Sequence, residues 1–128
     1  MDLLHKGAKW LEKTRDRYAA RKVVYRRGSS SVTVSSTPSR TLYEYDTADG
    51  LRTNLRISDE LILVDRLMLD GVRVQPQPGD QIIVGGQESG QVYEVMSPNT
   101  TEPCWRFADN YEITYRIHTK LLGNVDEQ

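Results

Sequence analysis

Tyr111-Glu112-Ile113-Thr114-Tyr115-Arg116-Ile117-His118-Thr119-Lys120 alternates without a break. Tyr111, Ile113, Tyr115, Ile117 and Thr119 face one way, and Glu112, Thr114, Arg116, His118 and Lys120 the other. A period of two over ten residues marks a strand with one side in a core. It predicts that His118 lies on the wet side of that strand, and that residues 121–128 form a tail. A long amphipathic strand needs partners, and the chain before it must supply them.

Moving toward the N-terminus, the same period recurs in shorter pieces. Gln91 to Met96 and Gln81 to Val84 read as two strands joined through Gly85-Gly86-Gln87-Glu88-Ser89-Gly90, a hairpin tip. Gln75-Pro76-Gln77-Pro78-Gly79-Asp80 must turn, because proline removes ladder donors and glycine permits a positive φ. Asp70-Gly71 and Asp49-Gly50 are hairpin signals. Leu61 to Leu69 is ambiguous between strand and helix, and the Asp70-Gly71 turn after it favours strand. Leu51 to Ile57 is a return strand. Thr41 to Asp46 and Ser31 to Ser35 alternate on either side of Pro38, which reads as an interruption between two strands. Val23 to Arg27 is a strand ending at Gly28.

Residues 2–21 differ. Leu3, Leu4, Gly7, Ala8, Trp10, Leu11, Thr14 and Tyr18 recur at spacings of three and four, and Asp2 can cap the N-terminus. The segment predicts one helix with a narrow apolar stripe, suited to a sheet or to a neighbouring subunit. The fold class is therefore mainly β: an N-terminal helix, then a small antiparallel barrel or sandwich of about 7–8 short strands. The expected organisation is a basic amphipathic helix over 1–22, a β-barrel domain over 23–120 and a C-terminal tail over 121–128.

With 128 residues, the chain is one domain's worth. Only 38% of it is hydrophobic, which predicts a thin core and some reliance on a partner. The net charge of −1 is unevenly placed. Residues 1–27 hold nine basic and three acidic side chains, or +6, while the other 101 residues hold 8 and 15, or −7. A basic head on an acidic body favours contact between copies or with an acidic surface. Cys104 alone cannot form an intrachain disulfide, which fits a reducing compartment. No apolar run approaches the roughly 20 residues of a membrane span. With no apolar signal core near Met1, the expectation is a soluble, intracellularly made protein.

No catalytic constellation assembles from the sequence. His5 and His118 lack ligand-spaced partners, so no metal is expected. Gly85–Gly90 lacks the lysine ending of a phosphate loop and sits between strands. Ser29, Ser30 and Ser31 have no nucleophile-elbow context. Asp59 and Glu60 read as ordinary surface charge, and Asn99-Thr100-Thr101 as a chance sequon. No cofactor is expected. Two segments suit binding. The helix combines Lys9, Lys13 and Arg17 with Trp10 and Tyr18, a mixture able to grip nucleic acid, although both aromatics belong to the apolar stripe. Cys104-Trp105-Arg106-Phe107 suits either an interface anchor or closure of the core.

The ordered combination resembles the small head–tail joining (head-completion) proteins of double-stranded-DNA phages with long tails. The pieces are Leu3-Leu4-His5-Lys6-Gly7-Ala8-Lys9-Trp10-Leu11, then Val24-Tyr25-Arg26-Arg27-Gly28, then Asp70-Gly71 with Pro76-Gln77-Pro78-Gly79-Asp80-Gln81-Ile82. Val92-Tyr93-Glu94-Val95 and Trp105-Arg106 leading to Tyr115-Arg116-Ile117-His118-Thr119-Lys120 complete it, over about residues 1–123. The resemblance implies a non-enzymatic virion protein, assembled in the host cytoplasm as a six- or twelve-fold ring at the neck. Its neighbours would be other copies, a portal or adaptor protein on the head side, and a tail-terminator or tail-tube protein on the tail side. Packaged DNA would pass through without sequence-specific binding, and no membrane is involved. Interface candidates are Lys9, Trp10, Lys13, Arg17, Tyr18, Gly85, Gly86, Gln87, Trp105 and Arg106. The alternatives are a tail-terminator or baseplate-hub barrel, or a nucleic-acid-binding barrel that uses the basic helix.

Overall fold

A computed structural model describes residues 3–46, 52–85 and 90–124, with side chains for all of these except 12–19, 40–46, 52–57 and 124. Helix α1 spans Leu3–Ala19, and after Ala20 the chain enters β1, Arg21–Arg27. Gly28, at φ 59°, turns it into β2, Ser30–Asp46. Strand β3 is Arg52–Leu63, and Asp49-Gly50 lies outside the described residues. Then come β4 (Met68–Leu69), β5 (Val72–Arg73), β6 (Gln81–Val84), β7 (Gln91–Val95), β8 (Trp105–Phe107) and β9 (Thr114–Asn124).

All pairings are antiparallel. The main sheet runs β3-β2-β1-β6-β7-β9-β8, and β3 also pairs with β9, Ser58↔Thr119 through Leu63↔Thr114. That last pairing closes six strands into a barrel, with β8 added outside the ring and β4–β5 as a separate hairpin. Closure removes the open edges that a sandwich would leave. The core holds Val23, Tyr25, Val34, Ile62, Leu67, Leu69, Ile82, Val95, Cys104, Tyr115 and Ile117.

Four expectations change. Pro38 does not divide β2, which runs through it paired with Glu60 of β3. Pairing with β1 stops at Ser36, so one flank of the strand is already without a ladder partner where the proline falls. The segment 61–69 is not one strand: a 3-10 turn at Val64–Arg66 separates β3 from β4. The last strand begins at Thr114, not Tyr111, because Glu112 takes φ 60° and Asp109 receives the amides of Tyr111, Ile113 and Thr114. Nor does a tail start at residue 121, since β9 continues to Asn124 beside Gln91.

The turn chemistry was legible. Asp70 and Gly71 both have positive φ, 54° and 79°, and close the two-residue β4–β5 hairpin. The proline turn 75–80 is tied to β1 through Asp80. That carboxylate accepts from the Tyr25 hydroxyl, the Gln77 amide and both Nε and Nη2 of Arg27.

Candidate assembly surface

Helix α1 packs on the outer side of the barrel across β2 and β3. His5 stacks on Tyr111, with ring centroids 5.2 Å apart, and Lys9 lies beside Leu63, Asp65, Arg66 and Ile113. His5, Ala8 and Lys9 are half-buried and share one face, at spacings of three and four. The large apolar side chains turn the other way. Leu3, Leu4, Trp10 and Leu11 are 84%, 75%, 65% and 61% exposed. Among the described side chains, the large apolar members of the stripe therefore do not lie on the chain's own sheet, which was one of its two expected placements. An exposed run of large apolar side chains on a regular element marks an interaction surface.

Asp59, expected on the surface, is fully buried, and its neighbour Glu60 is 1% exposed. Asp59 accepts from Arg116 Nη1 at 2.8 Å and lies 2.9 Å from His118 Nδ1. His118, expected on a wet face, is also 1% exposed. Arg116 reaches Ser39 as well, at 3.2 Å. On the opposite face of β3, Glu60 accepts from Arg21 and from Ser36. Arg21, Ser39, Asp59 and Glu60 border an open polar cavity of about 350 Å³ with Pro38, Ser58 and Tyr93. Both carboxylates are occupied by structural partners, so each charge is compensated where it is buried. The available signal was position: Asp59-Glu60 directly precedes Leu61-Ile62-Leu63-Val64, in a strand covered on both faces.

The remaining candidates fall in different places. Trp105 and Phe107 are half-buried and pack edge-on to one another, and Trp105 also meets Tyr115 edge-on, at 4.8 Å. Burial raises the Tyr115 hydroxyl above its ordinary range. The aromatic part of β8 therefore closes the core, while Arg106 between them is exposed, opposite Arg116 in register. Gly85 is exposed at φ 89°. Gly86 and Gln87 lie outside the described residues. Lys13, Arg17 and Tyr18 lie on α1, their side chains outside the described set.

Two groups result. The start of α1 and β8 gather where β9 begins, through Tyr111 and Phe107↔Tyr115. Gly85 sits where β9 ends, beyond Val84↔Gln91 and Gln91↔Asn124. The subunit thus offers distinct surfaces at opposite ends of one closed barrel. Among the described residues, no three His, Cys, Asp or Glu side chains cluster to hold a metal, and no helix is long and apolar enough to cross a membrane.

A family model described as phage head-tail joining protein matches residues 1–126. The chain belongs to the phage head–tail joining protein family. No curated protein sequence matches it. As a head–tail joining protein it is a structural component of the phage neck, part of the virion at the head–tail junction, and it interacts with head and tail proteins.

Proposed function

We propose that this joining protein is a ring subunit of the neck, seated between the portal or adaptor of the filled head and the tail-terminator or tail-tube protein. In that position it closes the head and continues the channel through which DNA leaves. The observation that carries this reading is the reversed helix: Leu3, Leu4, Trp10 and Leu11 face solvent in the single subunit. A lean chain gains stability by covering such a surface on assembly. The dipolar charge suits a subunit stacked between others. DNA must slide through such a channel, and few basic contacts to phosphate keep it from being held.

The test is electron microscopy of lysates from a phage with a nonsense codon early in this gene. Separate DNA-filled or leaking heads beside complete tails are expected. Normal heads carrying tails of abnormal length, or tails without baseplates, would move the protein from the neck to the tail. Intact infectious particles would overturn the structural role.

A further inference from the structure

The leucine edge of α1 is rigidly presented. Ala20 alone separates the helix from β1, and the His5–Tyr111 stack holds its other end. A surface fixed in this way loses little conformational freedom on docking. The helix is basic: Leu3–Ala19 holds five basic and two acidic side chains, or +3, while the rest of the chain holds 12 and 16, or −4.

We propose that the stripe Leu3, Leu4, Trp10 and Leu11 of one copy docks on the acidic barrel body of the next copy. The seam between ring neighbours is then a helix-on-barrel contact repeated head to tail. This deepens the ring reading above and rests on it. Charge decides between the ways two copies can meet. Helix against helix would oppose two segments of +3, whereas helix against body pairs opposite signs. A contact between two unlike surfaces of the same chain can repeat indefinitely, and it closes into a ring when the rotation allows. Among the described residues, the body offers exposed apolar side chains at Met68 and Val72 on the β4–β5 hairpin, and at Leu121 and Leu122 near the end of β9. One of these is the receiving patch.

The experiment places a photo-crosslinking residue, p-benzoylphenylalanine, at Leu11 in particles assembled from a mixture of heavy-isotope and ordinary subunits. A second series uses Leu4. Both positions are exposed, so the fold tolerates the change. Mixed-isotope adducts joining the helix to residues 28–124 of another copy are the expected result. Adducts joining helix to helix overturn the head-to-tail seam. Adducts only to a different neck protein overturn self-docking and assign the stripe to that partner. Absence of any adduct at either position also overturns it. Particles that lack the protein altogether refute the neck reading instead, and the same irradiation of concentrated purified protein then decides whether copies meet through the stripe.

Discussion

Arg27 and Asp80 form a two-pronged pair, Nε to Oδ1 at 2.9 Å and Nη2 to Oδ2 at 2.8 Å, which fastens the proline turn onto β1. Arg27 Nη2 also donates to the Gln75 carbonyl at 2.7 Å. The pairing raises the Arg27 guanidinium above its usual value, chiefly through the hydrogen bond to Asp80. The turn's two prolines remove amide donors, and this carboxylate adds to the backbone bonds that the turn makes with β7, Gly79 N–H to Val95 O and Val95 N–H to Asp80 O.

Asp80→Ala leaves Tyr25, the Gln77 amide and a partly buried Arg27 without their acceptor. The expected loss is about 3 kcal/mol, the range for removing one partner of a buried charged pair. Asp80→Asn keeps an acceptor but not the charge, and should cost about half as much. Urea unfolding of the two variants checks both values. Equal losses would mean that the charge contributes nothing.

The alkaline limb of stability carries a second prediction. Burial raises the Cys104 thiol above its ordinary value of 9.0, and burial with the Asp80 hydrogen bond raises the Tyr25 hydroxyl. Both groups are neutral when protonated and hold that proton more tightly in the fold. Their stabilisation is complete below the unfolded values, and is lost as pH rises toward the folded ones. Each group therefore lowers stability by at most about 1.4 kcal/mol per pH unit once its unfolded form ionises. Denaturation midpoints should fall from about pH 9 upward, and Cys104→Ala should flatten the first part of that fall. Native Cys104 should also react slowly with a thiol reagent at pH 8 and rapidly in urea.

Asp59 supports a third. Its carboxylate accepts from Arg116 and lies beside His118. Asp59→Ala should destabilise the fold by about 3–5 kcal/mol, because half-buried Arg116 loses its counter-charge and buried His118 its neighbouring carboxylate. A double-mutant cycle of Asp59→Asn with His118→Gln should give a coupling energy between about 0.5 and 3 kcal/mol. A coupling of zero would mean that the pair is adjacent without being linked.

Much of the architecture was readable because turns and alternation are local. Asp70-Gly71 and Pro76–Gly79 stood out through residues whose backbone preferences act without any neighbour. The polar cluster was hidden for the opposite reason. Asp59 and His118 are 59 residues apart, and only barrel closure through β3 and β9 brings them together. Both faces of those strands are covered, so alternation no longer separates wet from dry and two polar positions were misread as surface. Pro38 misled similarly: whether a proline breaks a strand depends on what flanks it. The helix pattern was seen correctly, but a stripe alone does not say whether it faces inward or outward.

Gly85 gives a prediction in which backbone outweighs space. A Cβ there would meet the Gly90 Cα at 3.5 Å, an ordinary contact, but φ is 89°. Gly85→Ala should therefore cost about 1–2 kcal/mol through the left-handed backbone alone. Gly85→Asn, which visits that region more readily, should cost less. Shortening the 85–90 loop should leave the subunit folded but lower the yield of infectious particles. An unchanged yield would remove the loop from the assembly surface.

The reversed helix gives the sharpest contrast between folding and assembly. Trp10 is 65% exposed, whereas Phe107 packs against the core. Phe107→Ala should destabilise the subunit by about 3 kcal/mol, as removal of a packed aromatic does. Trp10→Ala should shift subunit stability by only about 0.5 kcal/mol, as surface substitutions do. In particle assembly the order should invert: Trp10→Ala folds and accumulates, yet enters particles poorly, and Leu11→Ser on the same face reproduces the defect. Thermal melts of the purified variants, beside their incorporation into particles, separate the two effects. If Trp10→Ala melts as far below wild type as Phe107→Ala does, the indole belongs to the subunit's own core, and the stripe loses its largest side chain as an assembly contact.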